Sequence, residues 1–185
     1  MVASVDEVIR TKLLIENSKS DLRKRKTKIG DPKLGIMVET PAAALAIDLF
    51  CRECDFFSIG TNDLLQYCMA VDRNHSMLSN LYNPLNISFL RLLKKIIEDA
   101  NKGNKRVSIC GELGSDTNFT LFLLGLGLRE FSVSLPFVRK VKKLIRAVSI
   151  EQAERLSRKV FALSEEEKYS EIESFLFNDH MQKII

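Results

Sequence analysis

Three short segments each carry a reactive side chain at the end of an apolar run. They are Ile36-Met37-Val38-Glu39-Thr40-Pro41, Phe57-Ser58-Ile59-Gly60-Thr61-Asn62-Asp63 and Val107-Ser108-Ile109-Cys110-Gly111-Glu112. A parallel strand buried on both faces reads as an apolar run. In a (β/α) barrel, reactive groups project from the carboxyl ends of such strands into one shared mouth. The repetition therefore predicts that two carboxylates and a thiol, Glu39, Asp63 and Cys110, converge on one site. Taken singly, each has a plainer reading. Glu39 suits a helix N-terminus, where the dipole favours acids. Asp63 suits a cap or first turn, and a lone cysteine is most often a small buried residue.

The elements that must position these groups follow from periodicity and breakers. A helical pattern runs from Val5 to about Lys26, with Val8, Ile9, Leu13, Leu14 and Ile15 as its apolar positions. Gly30-Asp31-Pro32 interrupts it. Leu34–Val38 reads as a strand, and Thr40-Pro41 opens a helix continuing to about Arg52, with proline where its missing N–H is harmless. Phe56–Ile59 is a second strand, followed by a helical turn over Asp63–Met69. Asp72–Pro84 is polar and reads as a long loop of the kind that often serves function. An amphipathic helix spans Ile87–Lys102, a strand Arg106–Cys110, a helix Asp116–Leu124 and a fourth strand Phe131–Ser134. Helices over Val138–Ala147, Ile150–Val160 and Ser164–Phe177 complete the pattern. Strands alternating with helices argue an α/β fold with a parallel sheet and right-handed crossovers. Four strand–helix units are half of an eight-unit barrel, which needs about 250 residues.

Composition narrows the class. The chain has 185 residues, 45% hydrophobic and 28% charged, the balance of a globular domain with a sizeable core. No apolar run approaches the roughly 20 residues of a membrane span, and the first residues lack the basic-then-apolar pattern of a secretory signal. A cytoplasmic location is expected, with no membrane insertion. The net charge of +4 is spread among acids. Its densest cluster, Arg23-Lys24-Arg25-Lys26-Thr27-Lys28, reads as a solvated helix end. No aromatic residues interleave there, so nucleic acid is not an expected partner. Cys51 and Cys54 form a C-x-x-C without a second Cys or His pair, because His75 and His180 are isolated. They read as buried small residues rather than a metal site.

Gly35-Ile36-Met37-Val38-Glu39-Thr40-Pro41-Ala42-Ala43, Asp55-Phe56-Phe57-Ser58-Ile59-Gly60-Thr61-Asn62-Asp63-Leu64, Ala70-Val71-Asp72-Arg73 and Cys110-Gly111-Glu112-Leu113 occur in that order. Together they resemble the phosphoenolpyruvate-binding (β/α)8 TIM-type barrel of the phosphoenolpyruvate–protein phosphotransferases, enzyme I of the bacterial sugar phosphotransferase system. The similarity runs from about Ser4 to about Val160. Pyruvate phosphate dikinase and phosphoenolpyruvate synthase share the barrel, but Phe57-Ser58-Ile59-Gly60 and Ala70-Val71-Asp72-Arg73 look more like enzyme I.

The resemblance implies roles. Glu39 and Asp63 would bind a magnesium ion that also holds oxygens of phosphoenolpyruvate, as magnesium's taste for one or two carboxylates plus substrate oxygens allows. Asn62 would hydrogen-bond the phosphate, and Arg73 would clamp the phosphoryl group through its planar guanidinium. Cys110 would be the general acid that protonates the pyruvate enolate on carbon, with Glu112 either orienting it or sharing a hydrogen bond with substrate. It also implies a homodimer through the barrel domain and a phosphocarrier protein as partner of an N-terminal module. A complete member further carries an acceptor histidine in a Thr-Ser-His type motif. Neither His75 nor His180 lies in one. The first half of the barrel, with further phosphate-binding arginines, is also missing. Leu65 replaces a usual Thr, and Gly114-Ser115 replaces Ala-Gly. The expectation is a partial barrel over residues 1–160 with a C-terminal helical tail over 161–185. It would be the C-terminal part of such an enzyme, with little or no transfer alone. The alternatives are a non-catalytic dimerisation module and a dikinase or synthase fragment.

Overall fold

The computed structural model describes residues 1–73 and 81–176, except the side chains of residues 165, 173, 175 and 176. A long helix α1 (Val5–Lys24) precedes four parallel strands, β1 (Gly35–Val38), β2 (Phe56–Gly60), β3 (Arg106–Cys110) and β4 (Glu130–Phe131), which pair in chain order. Helices α2 (Pro41–Leu45) and α3 (Ile47–Phe50) follow β1, α4 (Thr61–Met69) and α5 (Ile87–Lys102) follow β2, and α6 (Glu112–Ser115) and α7 (Thr117–Gly125) follow β3. Helices α8 (Leu135–Ala147), α9 (Ile150–Ala162) and α10 (Glu165–Leu176) come after β4. An all-parallel sheet with sequential strand order and helical crossovers is the wall of a partial TIM-type barrel.

The strands alternate rather than being buried on both faces. Ile36, Val38, Phe57, Ile59, Val107 and Ile109 point to the helices and are buried. Phe50, Phe89, Leu93, Ile96 and Phe122 pack in the same core. On the other face, Met37, Ser58 and Ser108 stand in register across β1–β3. Met37 is 46% exposed, and Ser108 donates to Ser58 Oγ at 3.2 Å. In a closed barrel that concave face is filled by layers of side chains from all round the wall. Here it is open, which is why one face of each apolar run is not buried.

Helix α5 has its expected bounds. Asn86 caps it by accepting from the Ser88 N–H, and six residues, Phe89, Leu90, Leu93, Ile96, Ile97 and Ala100, are buried along one stripe. Other elements differ from expectation. The single helix expected to about Arg52 is two, because Ala46 leaves helical geometry at φ −111°, ψ 22°; no Gly or Pro marks the break. Helix α4 starts at Thr61 directly after β2, so Asn62 and Asp63 sit in its first turn. The extra helix α6 precedes Asp116, which caps α7 through the Asn118 N–H. Strand β4 has two residues rather than four, at the sheet edge, and Leu135-Pro136 already begins α8. Of the apolar positions of α1, Val8 is buried but Ile9, Leu13 and Leu14 are exposed. The basic cluster does end that helix, with Arg23 and Lys24 in its last turn. Most of the loop expected over 72–84, including His75, lies outside the described residues, as does His180.

Helix α9 lies against α7 at Gly125. A Cβ there would meet the Ala153 carbonyl oxygen, so only glycine permits that approach. Helix α10 contributes Ile172 to the core and a buried Lys168, whose Nζ donates to the Leu85 carbonyl at 3.2 Å.

Candidate functional site

The site forms at the carboxyl ends of β1, β2 and β3. The register Val38↔Ile59↔Ile109 ends the buried rows, and the next row pairs Gly60 with Cys110. Glu39 leaves β1 beside that row: a Cβ on Gly60 would stand 3.1 Å from the Glu39 Cβ. Glycine at 60 thus lets the carboxylate-bearing end of β1 lie against the β2–α4 junction. Thr40 then caps α2, accepting from the Ala43 N–H. The Glu39 carboxylate is largely shielded and lies 3.9 Å from the amino group of Met1.

The β2–α4 and β3–α6 junctions are tied together. Thr61 donates from Oγ1 to the Cys110 carbonyl at 2.9 Å. The Cys110 thiol donates to the Ile59 carbonyl at 3.2 Å. Asn62 Oδ1 accepts from the Glu112 N–H at 3.4 Å. Gly111 turns the chain between these contacts at φ +92°, and a Cβ there would lie 2.7 Å from Thr61 Oγ1. Only glycine takes that backbone conformation at no steric cost, which brings Glu112 under Asn62.

Arg73 folds back from the loop after α4. Its N–H donates to Gln66 Oε1 at 3.3 Å, and its guanidinium stands 4.0 Å from the Asp63 carboxylate. Tyr82, on the far side of the loop, donates from its hydroxyl to the Asn62 carbonyl at 2.9 Å. Burial raises the Tyr82 pKa; Arg73 opposes the shift, while Glu112 and Asp63 add to it. The phenol therefore sits within the field of all three charges.

Glu39, Asn62, Asp63, Arg73 and Cys110 all stand at this one end of the sheet. A cleft of about 860 Å³ opens beside them over β3 and β4. Asn62, Gly111 and Glu112 form one wall, and Ser132, Ser134 and Phe137 another. Of the five, Asn62 lines it, whereas Glu39, Asp63, Arg73 and Cys110 do not. Thr61, Gln66 and Tyr82 are the members that sequence reasoning missed. Thr61 was hidden by its ordinary place before Asn62-Asp63, and Tyr82 by lying inside the Asp72–Pro84 stretch read as loop.

The donor set fits magnesium in kind. Glu39 and Asp63 are hard oxygen donors, and among the described residues no three Asp, Glu, His or Cys side chains gather as a closed metal cage. Magnesium is ordinarily held by one or two carboxylates with substrate oxygens completing its shell, so two carboxylates suffice. The C-x-x-C is built differently. Burial raises the Cys54 thiol to about 11 and also raises Cys51, the reverse of a reactive or metal-binding thiol. No helix among the described residues is long and apolar enough to cross a membrane.

The family described as PEP-utilising enzyme, PEP-binding domain, matches residues 1–150. A phosphoenolpyruvate-protein phosphotransferase of Haemophilus influenzae is 45% identical over 158 residues, covering 85% of this chain and 28% of that relative. One from Staphylococcus carnosus is 41% identical over 180 residues, 96% of this chain and 31% of the relative. Multiphosphoryl transfer protein 1 of Escherichia coli is 44% identical over 159 residues, 85% of this chain and 19% of the relative. The chain thus spans less than a third of the length of these curated relatives.

Proposed function

The chain belongs to the PEP-utilising enzymes, through their PEP-binding domain, and from that membership we propose that it forms the phosphoenolpyruvate-binding part of a phosphoenolpyruvate–protein phosphotransferase. In this reading the parent reaction moves a phosphoryl group from phosphoenolpyruvate to a histidine outside this chain, and on to a phosphocarrier protein, in cytoplasmic sugar uptake. The observation that carries it is that Glu39, Asn62, Asp63 and Cys110 lie at or just after the ends of three adjacent parallel strands, with Arg73 against Asp63.

Glu39 and Asp63 would hold magnesium, which when bound supplies Lewis-acid polarisation of substrate oxygens. Asn62 and Arg73 would bind the phosphoryl oxygens. Arg73 already leans on Asp63, so a phosphate in its place exchanges one anionic partner for another. The Cys110 thiol holds its proton on the Ile59 carbonyl. Rotation about its Cα–Cβ bond would free that proton for the methylene carbon of the enolate, leaving a thiolate.

Calorimetric titration of the chain with phosphoenolpyruvate, with and without magnesium, tests the reading. Magnesium-dependent binding is expected; equal heats in both arms, or none, would overturn it.

Self-association is a second reading, favoured by the sheet edges. Strand β1 ends the sheet, and Met37 and Leu45 nearby are exposed apolar side chains. An uncovered edge is a template for pairing, and a homodimer is the expected product. Sedimentation showing a monomer at tens of micromolar would exclude it.

A further inference from the structure

Asn62 is held from two directions. Its backbone carbonyl, in the first turn of α4, accepts the Tyr82 hydroxyl at 2.9 Å. Its side-chain oxygen accepts the Glu112 N–H from another element at 3.4 Å. With Oδ1 fixed as an acceptor, the amide N–H₂ is the end left to donate. The contact from Tyr82 is not a local turn, since 20 residues separate the two. Tyr82 is itself anchored. Asn83, the next residue, accepts the Leu85 N–H on its side chain at 2.9 Å, and the Leu85 carbonyl accepts the buried Lys168. Tyr82 also lines a narrower cleft of about 160 Å³ together with Asn62, Glu112 and Asp116.

We infer that Tyr82 is a positioning residue for the phosphoryl end of the site: its hydroxyl fixes the first turn of α4 so that Asn62 presents its amide N–H₂ to the substrate phosphate. The inference rests on the functional reading above, and its physical basis is pre-organisation. A donor already locked in its bound rotamer loses less freedom when the anion arrives. A positioning hydrogen bond removed without disturbing the ring should cost no more than one such bond is worth. That bond is worth about 0.5–1.5 kcal/mol, or roughly two- to twelvefold in affinity.

Tyr82→Phe keeps the ring and deletes only the hydroxyl. Two measurements on the full chain separate this inference from its premise. The first needs no substrate: three-bond NMR couplings report the χ1 rotamer of Asn62. One rotamer is expected in the parent chain and averaging among rotamers in Tyr82→Phe; a single unchanged rotamer in the variant overturns the inference, whatever the substrate does. The second is a double-mutant cycle on phosphoenolpyruvate affinity in the presence of magnesium. Tyr82→Phe should weaken binding about two- to twelvefold in the parent background and leave it unchanged in the Asn62→Ala background. An equal loss in both backgrounds means that the hydroxyl acts on general structure and overturns the inference. A parent chain that binds no phosphoenolpyruvate refutes the functional reading instead, and the χ1 couplings then decide the role of Tyr82 alone.

Discussion

Gly111→Ala is the sharpest test of how the site is held. At φ +92° an alanine is strained, at a cost of about 1–3 kcal/mol. Its Cβ would also stand 2.7 Å from Thr61 Oγ1, inside any ordinary contact. Thr61 must then give up its bond to the Cys110 carbonyl, a further loss of about 0.5–1.5 kcal/mol. The sum is about 1.5–4 kcal/mol, since the two strains relieve one another in part. In a domain of this size that lowers the thermal midpoint by about 3–16 °C. Urea unfolding followed by circular dichroism reads the same quantity. Gly30→Ala is the matched control, because nothing lies within 4 Å of a Cβ there; its effect should stay within about 0.5 kcal/mol. If Gly111→Ala were as stable as Gly30→Ala, the β3–α6 turn would not have the conformation that brings Glu112 under Asn62.

Two further outcomes follow from the same structure. Glu39→Gln and Asp63→Asn should each abolish the magnesium dependence of phosphoenolpyruvate binding while the chain remains folded; a variant titrating like the parent would remove that residue from the metal site. The Asp99 carboxyl is held below its ordinary value of 3.8, chiefly by its hydrogen bond from Lys95. Its stabilisation is therefore complete above pH 3.8 and lost as pH falls through the lower folded-state value. Because Lys95 is 40% exposed, solvent screens the pair and the gain is well under 1 kcal/mol. Asp99→Asn should accordingly show a slightly flatter stability profile below pH 4, and an identical profile would mean that the pair contributes nothing.

The order of elements was legible because strands and helices differ in period and the breakers are strong. Strands β2 and β3 and helix α5 fall where the apolar rows put them, since each has a buried stripe that permits only one register. The split at Ala46 was not legible, because alanine carries no local signal. Nor was the brevity of β4, where pairing with β3 covers two residues before α8 begins. Of the site, the strand-end residues announced themselves through their apolar run-ups. Thr61, Gln66 and Tyr82 did not, because each acts through a backbone group outside its own element, and no spacing rule encodes such partners. The open concave face also escaped notice, since an apolar run looks the same whether one or both of its faces are covered.

The bond from Lys168 to the Leu85 carbonyl joins points 83 residues apart. During synthesis, the stretch that carries Tyr82 emerges long before the lysine that satisfies its neighbour. The segment beside Tyr82 therefore gains this support only once α10 has docked.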